Sequence, residues 1–96
     1  MVSIEWTKDA EFDFDQILAY LSNASSQYAS NFFEKVFDSV LNLERFPKMG
    51  RKVPESTNEE DREIIIQSYR LIYQYVEQED KIYIKIIIHG SRNLKL

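Results

Sequence analysis

The amino-acid sequence predicts an α+β fold in which two helices cover one face of a sheet, and three observations carry that prediction. Two stretches between residues 8 and 46 repeat apolar residues at helical spacing. Two later runs, Ser68–Val76 and Lys81–His89, are dense in aromatic and aliphatic residues, which strands accept more readily than helices. The second run alternates strictly, placing Ile82, Ile84, Ile86 and Ile88 on one side. A hairpin with one greasy face is not stable alone in water, so the upstream helices have to cover it.

Ser3-Ile4-Glu5-Trp6 reads as a short opening strand. Thr7 can cap the helix that follows, and Asp9 and Glu11 fall in its first turn, where carboxylates suit the helix dipole. Ala10, Phe14, Ile17, Leu18 and Leu21 form its apolar stripe, leaving Phe12, Asp13, Asp15 and Gln16 on a solvated face. Ser22-Asn23-Ala24-Ser25-Ser26 breaks the pattern with turn and cap residues. Ala29, Phe32, Phe33, Val36, Phe37, Val40, Leu41 and Leu43 then keep helical spacing, ending near Phe46 because Pro47 follows. The helices are placed near residues 8–22 and 27–46 as an antiparallel hairpin. The aromatic stripe reads as core packing and not as a ligand box, with Phe33, Val36, Phe37 and Val40 above the four isoleucines.

Both prolines and one of the two glycines lie between Pro47 and Asp61, which reads as the one long loop. Arg45, Lys48, Arg51 and Lys52 make a basic cluster around its start. Arg62–Gln67 is the next strand, and Glu77-Gln78-Glu79-Asp80 is the hairpin loop joining the strands at 69–76 and 81–89. The expected order is β-α-α-β-β-β, with a mostly antiparallel sheet of four strands.

Ninety-six residues make one domain, 1–96, large enough for a modest core. With no cysteine, no signal-peptide pattern and no apolar run of membrane-spanning length, the composition predicts a cytoplasmic protein without membrane contact. The net charge of −4 is uneven. Residues 1–61 hold six Lys/Arg against twelve Asp/Glu, and residues 62–96 hold six against four. A protein devoted to gripping phosphates is usually basic overall, which argues against nucleic acid as the main partner.

Most catalytic signatures are missing. There is no Gly-rich phosphate loop, and a single His89 with no cysteine leaves no zinc cluster and no Cys-His pair. No cofactor or metal is expected. His89, beside Gly90 at a strand end, reads as a structural histidine or as an exposed general base. Arg70 lies inside an apolar strand, where an unpaired guanidinium is costly. It has to meet a carboxylate such as Glu63, solvent on an open sheet face, or an anionic ligand.

Tyr69-Arg70-Leu71-Ile72-Tyr73, a hairpin, and then His89-Gly90-Ser91-Arg92 resemble the RelE/ParE toxin superfamily of bacterial toxin–antitoxin modules. Phe46-Pro47-x-x-Gly50-Arg51-x-Val53-Pro54-Glu55 and the Arg62-Glu63 pair resemble its ParE-type branch, also known as plasmid stabilisation proteins. The likeness spans essentially the whole chain and rests on order and spacing together.

That resemblance implies a toxin that poisons DNA gyrase by protein contact and is neutralised by a ParD-like antitoxin. The antitoxin's C-terminal segment is expected to fold onto grooves beside the helical hairpin and the sheet edge. Arg51, Arg62, Arg70, Tyr73 and Arg92 are the implied contact residues for antitoxin or target. A homodimer and a heterotetramer with antitoxin are both compatible with it. RelE-type relatives instead cleave mRNA on the ribosome, and in that reading Arg70, Arg92 and His89 are the catalytic candidates. The lysine pair which that branch carries before Arg70 has no counterpart in Arg62-Glu63-Ile64-Ile65-Ile66, and Glu63 has the wrong sign for stabilising a phosphate transition state. The chain also stops at Leu96, short of a C-terminal helix that holds a catalytic tyrosine in some relatives. A third possibility is a member that binds antitoxin and has lost toxicity.

Overall fold

A computed structural model of the chain describes residues 2–92 and 94. The elements run β1 (Ser3–Trp6), α1 (Lys8–Ala24), α2 (Ser26–Arg45), β2 (Arg51–Lys52), β3 (Asp61–Ile66), β4 (Tyr69–Val76) and β5 (Lys81–His89). They build one sheet in the order β1-β5-β4-β3-β2, with β1 parallel to β5 and every other neighbour antiparallel. The two helices lie on one face of this sheet, as expected. The fifth strand is a correction to the expected four. Arg51 and Lys52 pair with Glu63 and Arg62 inside the stretch read as a loop. Two residues leave no periodic trace, so only the neighbouring strand defines them as β.

Local chemistry accounts for the helix ends. The Thr7 hydroxyl accepts the Ala10 N–H at 3.1 Å. Ser25 closes α1 and opens α2 at once, accepting from Gln27 and Tyr28 with its side chain while its N–H reaches the Leu21 carbonyl.

The isoleucine register follows the alternation only halfway. Ile84 pairs with Tyr73 but Ile86 pairs with Ile72, so Lys85 is an extra residue in β5, a β-bulge. An inserted residue inverts every later side chain. Ile82, Ile84 and Ile87 therefore face the helices, whereas Ile86 and Ile88 turn to the opposite face. The helical lid is corrected too. Phe32, Val36 and Leu43 are the buried residues of α2, while Phe33 and Phe37 are about half exposed at 47% and 56%. The apolar arc of α2 is wider than the strip of sheet beneath it, so one edge of that arc is left outside.

The solvated face assigned to α1 is also revised at Asp13. β5 is nine residues long and its neighbour β1 only four, so the outer edge of β5 is bare beyond Ile84. α1 fills the gap, with the Thr7 hydroxyl donating to the Lys85 carbonyl and the Asp13 carboxylate accepting the Ile87 N–H at 3.1 Å. Burial pushes the Asp13 carboxyl above its ordinary range.

Candidate functional site

The face of the sheet away from the helices carries Arg70 and Arg51, two of the side chains that the sequence singled out. Alternation along β4 sends Leu71 and Tyr73 into the main core, and Arg70 and Ile72 to the other side. Arg70 is 6% exposed and donates to two carboxylates. Its Nε and Nη2 reach Glu63 Oε1 at 2.9 and 2.6 Å, and its Nη1 and Nη2 reach the two oxygens of Glu55 at 2.8 and 2.7 Å. Glu63 has no exposed side-chain surface, and its other oxygen takes Arg51 at 2.5 Å. Four charges thus alternate Arg51, Glu63, Arg70, Glu55, and cancel.

Hydrogen bonds from Arg70 hold the Glu55 carboxyl down to about 2, helped by the Leu94 N–H, which donates to Oε2 at 3.2 Å. The same hydrogen bonds, with Glu55 the larger contributor, raise the Arg70 guanidinium. Beside the network Val53, Ile72 and Leu94 form a small apolar cluster with Ile86 and Ile88 packed against it. At the far end Asp61 accepts the Ser56 hydroxyl at 2.8 Å and faces the Lys85 ammonium at 3.9 Å.

The other candidates divide. Tyr73 is fully buried, so the role of surface contact implied for it does not fit. Its hydroxyl accepts the Gly50 N–H at 2.9 Å and donates to the Pro47 carbonyl at 2.8 Å, clamping the turn after α2. Gly50 is required there by close approach, because a Cβ would stand 2.7 Å from both the Glu63 carbonyl and the Tyr73 hydroxyl. Arg62 braces the same turn through the carbonyls of Lys48 and Gly50 at 3.3 and 2.8 Å. His89 and Arg92 are exposed and line a cleft with Phe12, Gln16 and Tyr69 at the end of β5. The His89 Nδ1 accepts the Ser91 N–H at 3.1 Å, and its ring packs edge-on to Tyr69.

Arg70 and His89 therefore do not converge. Arg70 is paired with Ile88 in the ladder and His89 with Tyr69, so the two side chains leave opposite faces of the sheet. The RNase trio of Arg70, Arg92 and His89 has no common point at which to hold a phosphate. Among the described residues no three His, Asp or Glu side chains are placed to share a cation. No helix of the described residues is long and apolar enough to cross a membrane.

Glu55, Gly50 and Asp13 were not found by residue-level reasoning. One signal for Glu55 was available: a guanidinium has five donors, so one carboxylate could not satisfy a buried Arg70.

Comparison with known proteins agrees with this architecture. The family model described as the ParE toxin of the type II toxin–antitoxin system parDE matches residues 4–94. No curated protein sequence matches the chain. Among solved structures, the chromosomal ParDE toxin–antitoxin system from P. aeruginosa aligns with a TM-score of 0.71 at 21% identity, covering 93% of this chain and 96% of that one. A metal-bound toxin from Helicobacter pylori aligns at 0.72 and 20% identity, covering 95% and 97%. The intact E. coli RelBE toxin–antitoxin complex aligns at 0.64 and 15% identity, covering 96% and 100%.

Proposed function

The chain belongs to the ParE toxin family of type II toxin–antitoxin systems, and from that premise we propose that it disables DNA gyrase by protein contact until a cognate antitoxin covers it. The observation that carries contact over cleavage is the state of Arg70. A guanidinium that stabilises a phosphoryl transition state needs donors free to meet developing charge. Here Arg70 donates to Glu55 and Glu63, and the two carboxylates occupy the donors that a phosphate would need. Displacing them means separating a buried ion pair and bringing polyanionic RNA against two negative charges. The resemblance to the ParE-type branch supports gyrase as the target, and action on gyrase takes place in the cytoplasm.

The antitoxin partner is supported by the family and by the aligned toxin–antitoxin assemblies. The cleft of about 320 Å³ that Phe12, Ile17, Tyr69 and Ile88 line at the end of β5 suits the apolar anchors of such a partner.

The test is a pair of assays on purified protein. Inhibition of gyrase supercoiling, with mRNA left intact in a translating extract, is the expected result. Codon-positioned cleavage in that extract, abolished by Arg70→Ala in a normally folded variant, overturns it in favour of the ribonuclease reading. Antitoxin binding with no growth defect on induction assigns the chain to the non-toxic class instead.

A further inference from the structure

The basic cluster after α2 is only partly used by the buried ion chain. Residues 45–54 hold four Lys/Arg and no Asp/Glu in a chain of net charge −4. Arg51 is taken by Glu63, and Lys52 pairs with Glu59. Lys48 meets Glu77 with both side chains well exposed, a pair that solvent leaves easy to exchange. Among the described residues no carboxylate pairs with Arg45, whose guanidinium lies 5.6 Å from the centre of the Phe46 ring.

Between these charges opens an apolar cleft of about 560 Å³, lined by Phe46, Met49 and Tyr75 together with Arg45, Lys48 and Glu77. Phe46 is 58% exposed and Met49 49%, yet the turn that carries them is braced. Tyr73 and Arg62 donate to the carbonyls of Pro47, Lys48 and Gly50, and the Met49 N–H donates to the Phe46 carbonyl at 3.1 Å. Large side chains held out to solvent on a braced turn lose little freedom on docking, and such positions carry most of an interface's binding energy. The cleft also stands apart from the one at the end of β5. Tyr75 faces Ile82 in the ladder and Tyr69 faces His89, so the two open at opposite ends of the β4–β5 hairpin, about 20 Å apart. A toxin that acts by contact has two protein partners, and the molecule offers two separate apolar seats.

We propose, on the reading that the chain acts by protein contact, that the cleft at Phe46 seats the protein it disables. The occupant is an acidic segment of that protein bearing a bulky apolar side chain. The apolar side chain enters between Phe46, Met49 and Tyr75, while neighbouring carboxylates meet Arg45 and replace Glu77 on Lys48. Charge selects this occupant, since a basic segment brings like charge to Arg45 and Lys48. Nucleic acid fits less well, because Glu59, Glu60 and Glu77 line the adjoining hollow beside Lys48 and Arg62 and oppose a run of phosphates.

In the full chain purified free of antitoxin, Phe46→Ala is expected to raise the concentration for half-maximal inhibition of gyrase supercoiling about 10-fold or more. Arg45→Glu combined with Lys48→Glu should do the same, and both variants should keep native circular dichroism and antitoxin affinity. Phe37→Ser removes a ring of like exposure from α2 and should leave inhibition unchanged. Inhibition by Phe46→Ala equal to that of the native chain overturns the proposal. So does loss of antitoxin binding with inhibition kept, which makes the cleft the antitoxin's seat. Single-stranded DNA that binds the native chain and is released by the double charge reversal assigns the patch to nucleic acid and overturns it as well. If the native chain arrests growth on induction without inhibiting gyrase, the gyrase reading alone fails. Growth restored by Phe46→Ala then supports the seat, and arrest that persists overturns it. A native chain with neither effect has no target to seat and overturns both.

Discussion

The sheet is covered on both faces, and the two covers differ in kind. Beneath the helices Phe32, Val36, Leu43, Leu71, Tyr73, Ile82, Ile84 and Ile87 pack into a continuous apolar core. On the other side a loop and Leu94 are drawn onto the sheet by Arg51, Glu63, Arg70 and Glu55, with Val53, Ile72 and Leu94 buried beside them. Apolar burial is non-directional and tolerates exchange of one aliphatic residue for another. A buried ion chain does not, because each member removed strands its neighbour. The helix face is thus the robust half of the molecule. The open face is the brittle half, with Arg70 held between two carboxylates.

That contrast can be broken most severely at Glu63. Glu63→Ala leaves Arg70 with one carboxylate and Arg51 with none, and is expected to cost roughly 3–5 kcal/mol in urea unfolding. A cost under about 1 kcal/mol means that apolar contacts, and not the ion chain, close the open face. On the helix face Ile82→Ala should cost about 2–5 kcal/mol, set by the cavity it leaves. Its penalty should be the same at low and high salt, whereas a salt-dependent loss ties the two faces together electrostatically.

A smaller effect is expected where the two regions meet. Gly50→Ala drives a methyl into the Glu63 carbonyl and the Tyr73 hydroxyl and should cost about 1–3 kcal/mol. Tyr73→Phe, which removes the clamp but adds no atom, should relieve part of that clash. If the double variant is no more stable than Gly50→Ala, the obstacle is the Glu63 carbonyl and the Tyr73 ring, which a Cβ would meet at 2.7 and 2.8 Å, and not the hydroxyl.

The subtlest difference is in pH response. Glu55 is held at about 2 against an ordinary 4.5, so between those values the unfolded chain binds more protons than the folded one. Its contribution to stability is complete above about pH 4.5 and is lost as the pH falls toward 2. Asp13, raised by burial against the edge of β5, acts in the opposite sense. There the folded chain binds more protons, so that group's share of stability grows as pH falls. The Leu94 amide resonance, reporting on its bond to Glu55, should titrate with a midpoint near 2. A midpoint near 4.5 shows that Arg70 does not hold Glu55 in solution.

Much of the fold was legible because it rests on local periodicity. Strands at Ser3–Trp6, Tyr69–Val76 and Lys81–His89 and both helices appear where the pattern puts them, with the Thr7 cap in place. Arg70 was recognisable as a residue in need of an anion, since a guanidinium inside a run of Tyr, Leu and Ile cannot stay unpaired, and Glu63 was within reach on the neighbouring strand. What escaped sequence reasoning depends on contacts between residues distant in the chain. The Lys85 bulge turned Ile86 and Ile88 away from the helices, and no pattern in an unbroken isoleucine run marks where a strand takes an extra residue. Glu55 reaches Arg70 from a loop whose path is determined by Tyr73 and Arg62 clamping the turn at Pro47–Gly50. Asp13 changed from solvated acid to strand partner only because β1 ends before β5 does. Sequence alone decided which segments are helix and strand, the two-residue β2 excepted, because that choice follows from spacing within a few residues. The tertiary structure alone decided which face each side chain serves and which carboxylates meet Arg70, because those depend on register and loop path, properties of paired segments and not of either one.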